Sequence, residues 1–287
     1  MIDESSSTHT WAVRVPASSA NLGAGFDVLG MALSLYAEVG IGAPPEGAHP
    51  APETHPATVA FRRLGGSGPL WVRSSIPMGR GLGFSGSVRV GGASAAVVQR
   101  SGHDALDDVS AVEEVLAATT ELEGHADNVA PSLLGGVVVC AGDAVQPVPL
   151  GFDPAVVVWV PDGTTTSTDQ SRAQLPTSVP MADAVFNLGR VATFVAACAS
   201  GDVAALRRGT EDRLHQPIRL AAVPSSAAAL DAALDAGAWA AWLSGSGPTV
   251  AALCPVDRAG EIATALPADG HTKELRIAVD GAGVVDA

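Results

Sequence analysis

Apolar residues in this chain form two kinds of segment, which are mixed along the sequence. Short apolar blocks of strand length occur at Val13–Val15, Val28–Ile41, Trp71–Ser75, Gly136–Cys140, Val156–Trp159 and Ala238–Leu243. Longer segments with apolar residues at helical spacing occur at Gly86–Arg100, Ser110–Gly124, Met181–Ala199, Val203–Leu214 and Ser226–Ala236. Because strands and helices mix without regular alternation, the pattern predicts an α+β fold.

Local signals set the limits of several elements. Ser110 and Glu113 have the spacing of a capping box, and Gly124 ends the helix that they start. The segment 42–56 is rich in Pro, Gly, Ala and His, which predicts a surface excursion. Two prolines and a glycine within 145–153 predict a domain boundary, giving one domain over residues 1–150 and another over residues 151–287.

Composition narrows the class of protein. Hydrophobic residues make up 47% of the chain, yet no continuous apolar run reaches the roughly 18 residues that a membrane span needs. The first ten residues are polar and acidic, which is unlike a signal peptide or a transit peptide. We therefore expect a soluble cytoplasmic protein with no membrane partner.

The formal net charge of −14 disfavours a nucleic-acid partner, because binding to phosphate backbones needs clustered basic residues. Lys273 is the only lysine, so any bound phosphate has to be held by backbone amides, arginine or a metal. Cys140, Cys198 and Cys254 are far apart and lie in apolar stretches. They predict buried thiols in a reducing compartment rather than a metal site.

A glycine-rich turn at Ile76–Ser87 runs into the predicted helix that follows it. Such a turn directs several free amides and the positive end of the helix dipole towards one point, which binds phosphate without a lysine. A turn that only packs the helix against a sheet is the alternative. Within the helical pattern, Gly86, Gly91 and Gly92 are interpreted as close-packing positions.

Three further segments concentrate polar residues. Glu121–Asn128 places two carboxylates at the negative end of a helix dipole, which a divalent cation would relieve, although both side chains could simply face water. Pro16–Asp27 is a predicted loop whose Asp27 could accept a hydroxyl proton or close an Asx-turn. Leu243–Val250 is a second glycine-rich loop, and two such loops in a lysine-poor chain favour a nucleotide site.

Taken together, these motifs resemble those of the homoserine kinases, a branch of the GHMP kinase superfamily. Val13–Gly30 is similar to the N-terminal signature of that branch, Pro77–Ser87 to the superfamily's phosphate loop, and Leu243–Val250 to its third motif. The segments that resemble the homoserine branch more specifically are Glu123–Pro131, Leu134–Gly136, Ser167–Arg172, Ala182–Arg190 and Glu211–Arg219. The resemblance implies an N-terminal ribosomal-S5-domain-2-like domain and a C-terminal ferredoxin-like domain, with the active site between them.

The resemblance also implies ATP and Mg²⁺ as cofactors. The residues that would hold the triphosphate are Pro77, Gly79, Arg80, Gly81, Leu82, Gly83, Phe84, Ser85, Gly86 and Ser87. Ser85 and Glu123 would bind the metal, with Glu121 as the alternative carboxylate. The superfamily loop usually has a serine where this chain has Phe84, and the region from 40 to 69 is shorter than is usual in the family.

The substrate implied by the resemblance is L-homoserine, with O-phosphohomoserine as the product in threonine biosynthesis. Asn21, Asp27 and His125 would surround its amino and hydroxyl ends, and Asp27, Ser85 and Glu123 would be the catalytic residues. The residues that would bind its carboxylate are Thr168, Arg172 and Arg219. A kinase for another small hydroxy acid and a non-catalytic ligand-binding protein of the same fold are the alternatives, and a homodimer is the default assembly.

Overall fold

The computed structural model describes residues 11–142, 144–163, 165–166 and 168–287, with all side chains except those of residues 168 and 169. Its strands are β1 (Trp11–Ala20), β2 (Leu29–Ile41), β3 (His49–Ala51), β4 (Leu70–Ser74), β5 (Val137–Ala141), β6 (Ala144–Val148), β7 (Ala155–Pro161), β8 (Ala240–Leu243), β9 (Val250–Cys254), β10 (Gly270–Arg276) and β11 (Gly283–Asp286). Its helices are α1 (Pro56–Arg63), α2 (Phe84–Ser101), α3 (Val109–Glu123), α4 (Val129–Leu134), α5 (Thr168–Ala173), α6 (Met181–Ser200), α7 (Val203–Gly209), α8 (Gln216–Ala222), α9 (Pro224–Asp235) and α10 (Ala259–Ala265).

The first sheet has the strand order β11-β1-β2-β4-β3, with β5 joining β2 and β6 joining β5. Helix α2 packs against this sheet and against α1, and one of its glycines allows each close approach. A Cβ at Gly91 would lie 2.5 Å from Val39, and one at Gly92 would lie 2.0 Å from the carbonyl oxygen of Ala57. Both are therefore close-packing positions, as the sequence predicted.

The second sheet has the order β10-β7-β9-β8 and is antiparallel throughout. Residue 150 falls between β6 and β7, so the predicted boundary separates strands of different sheets. The first sheet is not built from the N-terminal part of the chain alone, however. The last strand, β11, returns to it and pairs with β1 from Trp11↔Asp286 to Arg14↔Gly283. The chain therefore crosses between the two sheets twice, once near Leu150 and once between Arg276 and Gly283.

Helix α6 is the one described helix that is long and apolar enough, by length and composition, to span a membrane. A single helix of this kind is weak evidence for a span. Polar side chains attach α6 to the rest of its domain: Asn187 Nδ2 donates to Asp212 at 2.6 Å, and Arg190 pairs with Glu211 at 2.7 Å. Phe194 and Cys198 on the same helix are fully buried.

Several predicted element limits were wrong. Strand β1 continues to Ala20, because its small residues pair with β2 up to Ala20↔Gly30, so the loop begins at Asn21 rather than at Pro16. Helix α3 is capped by Asp108, whose carboxylate accepts the amide of Ser110 at 2.8 Å, and not by a capping box starting at Ser110. Gly124 ends that helix in a left-handed conformation, as predicted.

Other segments form more regular structure than the sequence indicated. The predicted surface excursion contains β3, and helix α1 begins at its last residue, Pro56. The predicted helix Val203–Leu214 ends at Gly209. The three cysteines are free and buried, as predicted, and burial raises the pKa of the Cys140 and Cys198 thiols to about 12.

Candidate active site

A cavity of about 150 Å³ lies where the two sheets meet. It is bordered by the glycine-rich turn before α2, by the β1–β2 loop, by the residues after α3 and by the loop between β8 and β9. Most of the residues predicted to form the site line it: Asn21, Asp27, Pro77, Gly79, Arg80, Gly81, Leu82, Gly83, Phe84, Ser85, Glu123, His125, Arg172 and Arg219. Gly86 and Ser87 do not line it, and the side chain of Thr168 lies outside the described residues.

The turn before α2 owes its shape to three glycines. Gly79, Gly81 and Gly83 have φ values of +64°, +76° and +66°, a left-handed region that side chains with a Cβ rarely adopt. Helix α2 then starts at Phe84 without a side-chain cap, so the amides of its first turn lack intrahelical acceptors. These amides and the positive end of an 18-residue helix form an anion-binding end that borders the cavity.

Contacts from both domains hold this turn in place. A Cβ at Gly83 would lie 2.0 Å from Ser18 Oγ, and Ser18 Oγ itself donates to Asn128 Oδ1 at 3.0 Å. Ser244, in the β8–β9 loop, donates its hydroxyl to the carbonyl of Gly81 at 2.6 Å. The second glycine-rich loop therefore supports the first, rather than forming an isolated turn.

Glu123 and Glu121 have different surroundings, although they are two residues apart. Glu123 ends α3 with only 13% of its side chain exposed, and it accepts a hydrogen bond from Ser85 Oγ at 3.0 Å. The side chain of Glu121 is 65% exposed and pairs with Arg63 on the surface. Arg89, one helical turn after Ser85, contacts both Ser85 Oγ and Glu123 Oε2. Only Glu123 borders the cavity.

The β1–β2 loop places Asp27 through strained backbone and its own hydrogen bonds. Asn21, Leu22 and Asp27 have φ values of +71°, +44° and +58°. The Asn21 side chain accepts from the amide of Asp27 at 3.1 Å and donates to the carbonyl of Gly245 at 3.0 Å. Asn21 therefore ties this loop to the β8–β9 loop, and Asp27 is held at the cavity wall.

Two arginines border the same wall of the cavity, and they differ in burial and in their hydrogen-bond partners. Arg172 forms two hydrogen bonds to Asp27, at 2.7 and 2.8 Å. Arg219 is 5% exposed and donates to the carbonyl of Gly245 at 3.2 Å, while its Nε has no partner among the described residues. Burial, and then the charge of Arg172, lower the pKa of Arg219, but an arginine stays charged at neutral pH.

No carboxylate of a described side chain lies within 4 Å of the Arg219 guanidinium. A buried cation without an anionic partner is costly in a folded protein. The ring of Phe26 contacts both arginines, with their guanidinium carbons 5.2 and 5.4 Å from its centre. This arrangement suits an anion that enters the cavity and pairs with Arg219.

His125 is largely buried, and its Nδ1 lies 2.5 Å from Asp127 Oδ1. Burial opposes the charged imidazolium, but the hydrogen bond to Asp127 and the charges of Asp127, Glu123 and Asp27 outweigh it, so the pKa of His125 is raised. The imidazolium therefore persists to a higher pH than in an unperturbed histidine.

We expect the substitution Asp127→Asn to lower the pKa of His125, because it removes the carboxylate that favours the imidazolium. NMR titration of the histidine ring protons measures this directly, and the remaining histidines serve as internal controls. A His125 titration that does not move in the folded variant would contradict the pairing.

Comparison with known proteins identifies the family. Residues 55–136 match the GHMP kinases N terminal domain, and residues 194–272 match the family described as GHMP kinases C terminal. A homoserine kinase from Moorella thermoacetica is 43% identical over 263 residues, covering 84% of this chain and 86% of that protein. One from Thermus thermophilus is 40% identical over 277 residues, covering 88% and 89%. The chain belongs to the homoserine kinase family.

Solved structures of GHMP kinases share the fold. A homoserine kinase from Cytophaga hutchinsonii superimposes with a TM-score of 0.82 and 25% identity, covering 98% of each chain. A mevalonate kinase from Methanococcus jannaschii gives a TM-score of 0.68 at 13% identity, covering 95% of this chain and 99% of that chain, which extends the shared fold to another branch. The predicted α+β GHMP kinase fold is confirmed, and membership of the homoserine kinase family makes this chain an ATP-dependent small-molecule kinase.

The sequence motifs of the homoserine kinase family did not reveal every residue of the site. Arg89 was missed, although its position four residues after Ser85 on a helix puts both side chains on one face. His215 was also missed: it is fully buried, and its Nε2 lies 2.8 Å from the carbonyl of Gly23. Its Nδ1 lies 3.2 Å from Arg219, four residues further along the chain, which places His215 behind that arginine.

Proposed function

We propose that this chain transfers the γ-phosphoryl group of ATP to the hydroxyl of L-homoserine, with Mg²⁺ bound by Ser85 and Glu123. The observation that carries this proposal is the joining, in one cavity, of an amide-rich helix end and the buried Arg219, which has no carboxylate partner among the described side chains. The first suits a triphosphate and the second suits the carboxylate of an amino acid.

The phosphates are proposed to lie on the turn from Gly79 to Ser85 and on the first amides of α2. This arrangement needs no lysine, in keeping with a chain whose only lysine, Lys273, lies in strand β10. Phosphoryl transfer depends chiefly on positioning and on neutralising charge, both of which fixed amides provide. Phe84 keeps its backbone amide at this helix end, and its ring packs edge-on to His55 with ring centres 6.3 Å apart.

Ser85 and Glu123 fit a magnesium site. A hydroxyl and one carboxylate are oxygen donors, and Mg²⁺ commonly takes only one or two protein carboxylates alongside substrate phosphates and water. The described residues hold no group of three or more His, Cys, Asp or Glu side chains suited to a metal, as expected for a metal that arrives with a nucleotide. When bound, Mg²⁺ neutralises charge that develops on the phosphate oxygens.

The substrate carboxylate is proposed to pair with Arg219, and with Arg172 when Arg172 gives up one of its two bonds to Asp27. Asp27 and His125 border the same cavity and are proposed to face the hydroxyl and amino groups of the substrate. Asp27 is fixed by Arg172 and by the Asn21 side chain, so its carboxylate is placed to accept a hydrogen bond from the reacting hydroxyl. Asn21 acts mainly by holding this loop, because both ends of its amide already bond to the protein.

A cytoplasmic location and the absence of nucleic-acid partners are part of the same proposal. They accord with the net charge of −14 and with three buried free thiols, which suit a reducing compartment. Assembly as a homodimer stays a prediction.

The purified protein is expected to release ADP with L-homoserine and Mg²⁺, and about 100-fold more slowly with L-serine. Serine is one methylene shorter, so its hydroxyl falls short of the phosphate when its carboxylate is held, and a misplacement of about 1 Å can cost ~100-fold in rate. A coupled assay of ADP release over a panel of hydroxy acids measures this.

Three outcomes of that assay are distinct. Equal rates with serine and homoserine would exclude homoserine as the specific substrate. Faster release with another hydroxy acid would identify a different kinase of the same superfamily. No release of ADP with any acceptor, from a protein that binds ADP in a separate titration, would indicate a ligand-binding protein.

A further inference from the structure

Arg89 lies where the proposed metal ligands meet. Its side chain extends from α2, one helical turn after Ser85, and a single guanidinium nitrogen, NH1, contacts both Ser85 Oγ and Glu123 Oε2. The exposed fractions of the Arg89 and Glu123 side chains are 20% and 13%, so water screens this pair poorly. A cationic nitrogen therefore contacts the same two oxygen donors that the proposed function gives to Mg²⁺.

The two cations oppose each other at this point. The Arg89 contact uses Oε2 of Glu123, and a metal at either oxygen of the same carboxylate would lie close to the guanidinium charge. Two cations at this range repel each other in a poorly screened site, so each weakens the binding of the other. The other arginine–glutamate pair near this helix end, Arg63 with Glu121, is on the surface and does not involve Glu123.

The Arg89 side chain is also incompletely satisfied in its present position. Its Nε is buried and has no hydrogen-bond partner among the described residues. A buried donor without an acceptor is unfavourable, so leaving this position sacrifices no bond at Nε. This lowers the cost of moving the guanidinium away from Ser85 and Glu123.

We propose that Arg89 is an internal competitor for the metal site: it pairs with the oxygens of Ser85 and Glu123 and so weakens the binding of Mg²⁺ to them. The proposal rests on the proposed function, because that function assigns Ser85 and Glu123 to the metal. Arg89 is then a positioning residue: it keeps Glu123 in place and raises the Mg²⁺ concentration at which the site fills.

The test is metal binding to the ADP-bound protein, followed by the electron paramagnetic resonance of Mn²⁺ and by calorimetric titration of Mg²⁺. Arg89→Met removes the charge but keeps a long side chain, and it is expected to tighten metal binding by about 10- to 100-fold, the effect of one hydrogen bond to a charged group. ADP affinity measured in EDTA should stay unchanged. Arg100→Met is the matched control, since Arg100 lies on the same helix and pairs with Glu114 on the surface.

Arg89→Gln retains a hydrogen-bond donor for Glu123, so the same metal-binding measurement can be made on it if Arg89→Met does not fold. It should also tighten metal binding, although by less. Unchanged metal affinity in the folded variants would overturn the proposal, and so would weaker ADP binding in EDTA, which would make Arg89 a phosphate ligand.

Failure of the proposed function gives a different pattern. Tighter Mn²⁺ binding by the Arg89 variants would support the competition even if no phosphorylated homoserine formed. Metal binding that is insensitive to both Glu123→Gln and Arg89→Met would place the metal elsewhere, and would overturn both the competition and the metal part of the proposed function.

Discussion

Replacing Arg219 with alanine is expected to raise the KM for L-homoserine by at least about 30-fold, with little change in the KM for ATP. Loss of one partner from a buried, hydrogen-bonded charge pair costs about 2–5 kcal/mol, and each 1.4 kcal/mol is about tenfold in binding. Arg219 is buried and has no carboxylate partner among the described side chains, so its bond to the substrate is the main ionic bond that the substitution removes. Steady-state kinetics with each substrate varied in turn measure both constants.

Arg219→Lys and Arg213→Ala are the control variants for this prediction. Lysine retains the charge but not the planar fork, so Arg219→Lys should recover only part of the affinity for homoserine. Arg213 is an exposed arginine on the same domain that pairs with Asp183, and its loss should leave both KM values near wild type. An Arg219→Ala enzyme that folds and keeps its KM for homoserine would show that the carboxylate binds elsewhere.

Gly83→Ala is expected to weaken ATP binding by about 100-fold or more, because it displaces the turn that presents the phosphate-binding amides. The added Cβ would lie 2.0 Å from Ser18 Oγ and 3.1 Å from the Ser18 backbone nitrogen. The buried Ser18 hydroxyl can turn away only by losing its hydrogen bond to Asn128, and the backbone contact still presses the turn away from β1. Losing two amide bonds to a charged phosphate, at about 1.5–3 kcal/mol each, weakens binding by about 100-fold or more. Calorimetric titration of ADP and the KM for ATP measure the effect.

Gly142→Ala separates backbone strain from collision. Gly142 has the same φ of +66° as Gly83, but nothing lies within 4 Å of its Cβ position. The strain of a left-handed alanine, about 1–2 kcal/mol, should therefore lower the thermal stability of both variants, while only Gly83→Ala loses nucleotide affinity. Equal nucleotide affinity in the two variants would mean that the turn is not the phosphate site.

The sequence predicted the parts of the fold that depend on neighbouring residues. The helix α2 and its glycine-rich start, and the glycine that ends α3, follow from local spacing and backbone preference. The pairing of β11 with β1 could not be predicted this way, because Trp11 and Asp286 are separated by almost the whole chain. Strand β1 was underestimated because Ala17, Ser18 and Ser19 have no strong strand preference and are held by pairing with β2.

The candidate site could likewise be predicted only where neighbouring residues determine it. Motifs predicted the glycine-rich turn, Glu123 and Arg219, which all line one cavity, since these residues lie in recognisable segments. The motifs left Glu121 and Glu123 as alternative metal ligands, because the two residues are equivalent in sequence. They differ only in the side of α3 from which their side chains project. The pairing of Arg172 with Asp27 joins residues 145 positions apart and depends on how the two domains meet.

The double crossing between the two sheets restricts how the cleft can open. One connection passes near Leu150. The other, between Arg276 and Gly283, is bonded to strand β2 and to helix α4, because the amides of Ala278 and Ala282 donate to Ala32 and Leu133. The two sheets also share one hydrophobic core, in which Val15 and Leu33 of the first lie with Val158 and Leu253 of the second. Pulling the sheets apart would expose this core to water, so the two connections and the shared core together hold the walls of the cavity in register.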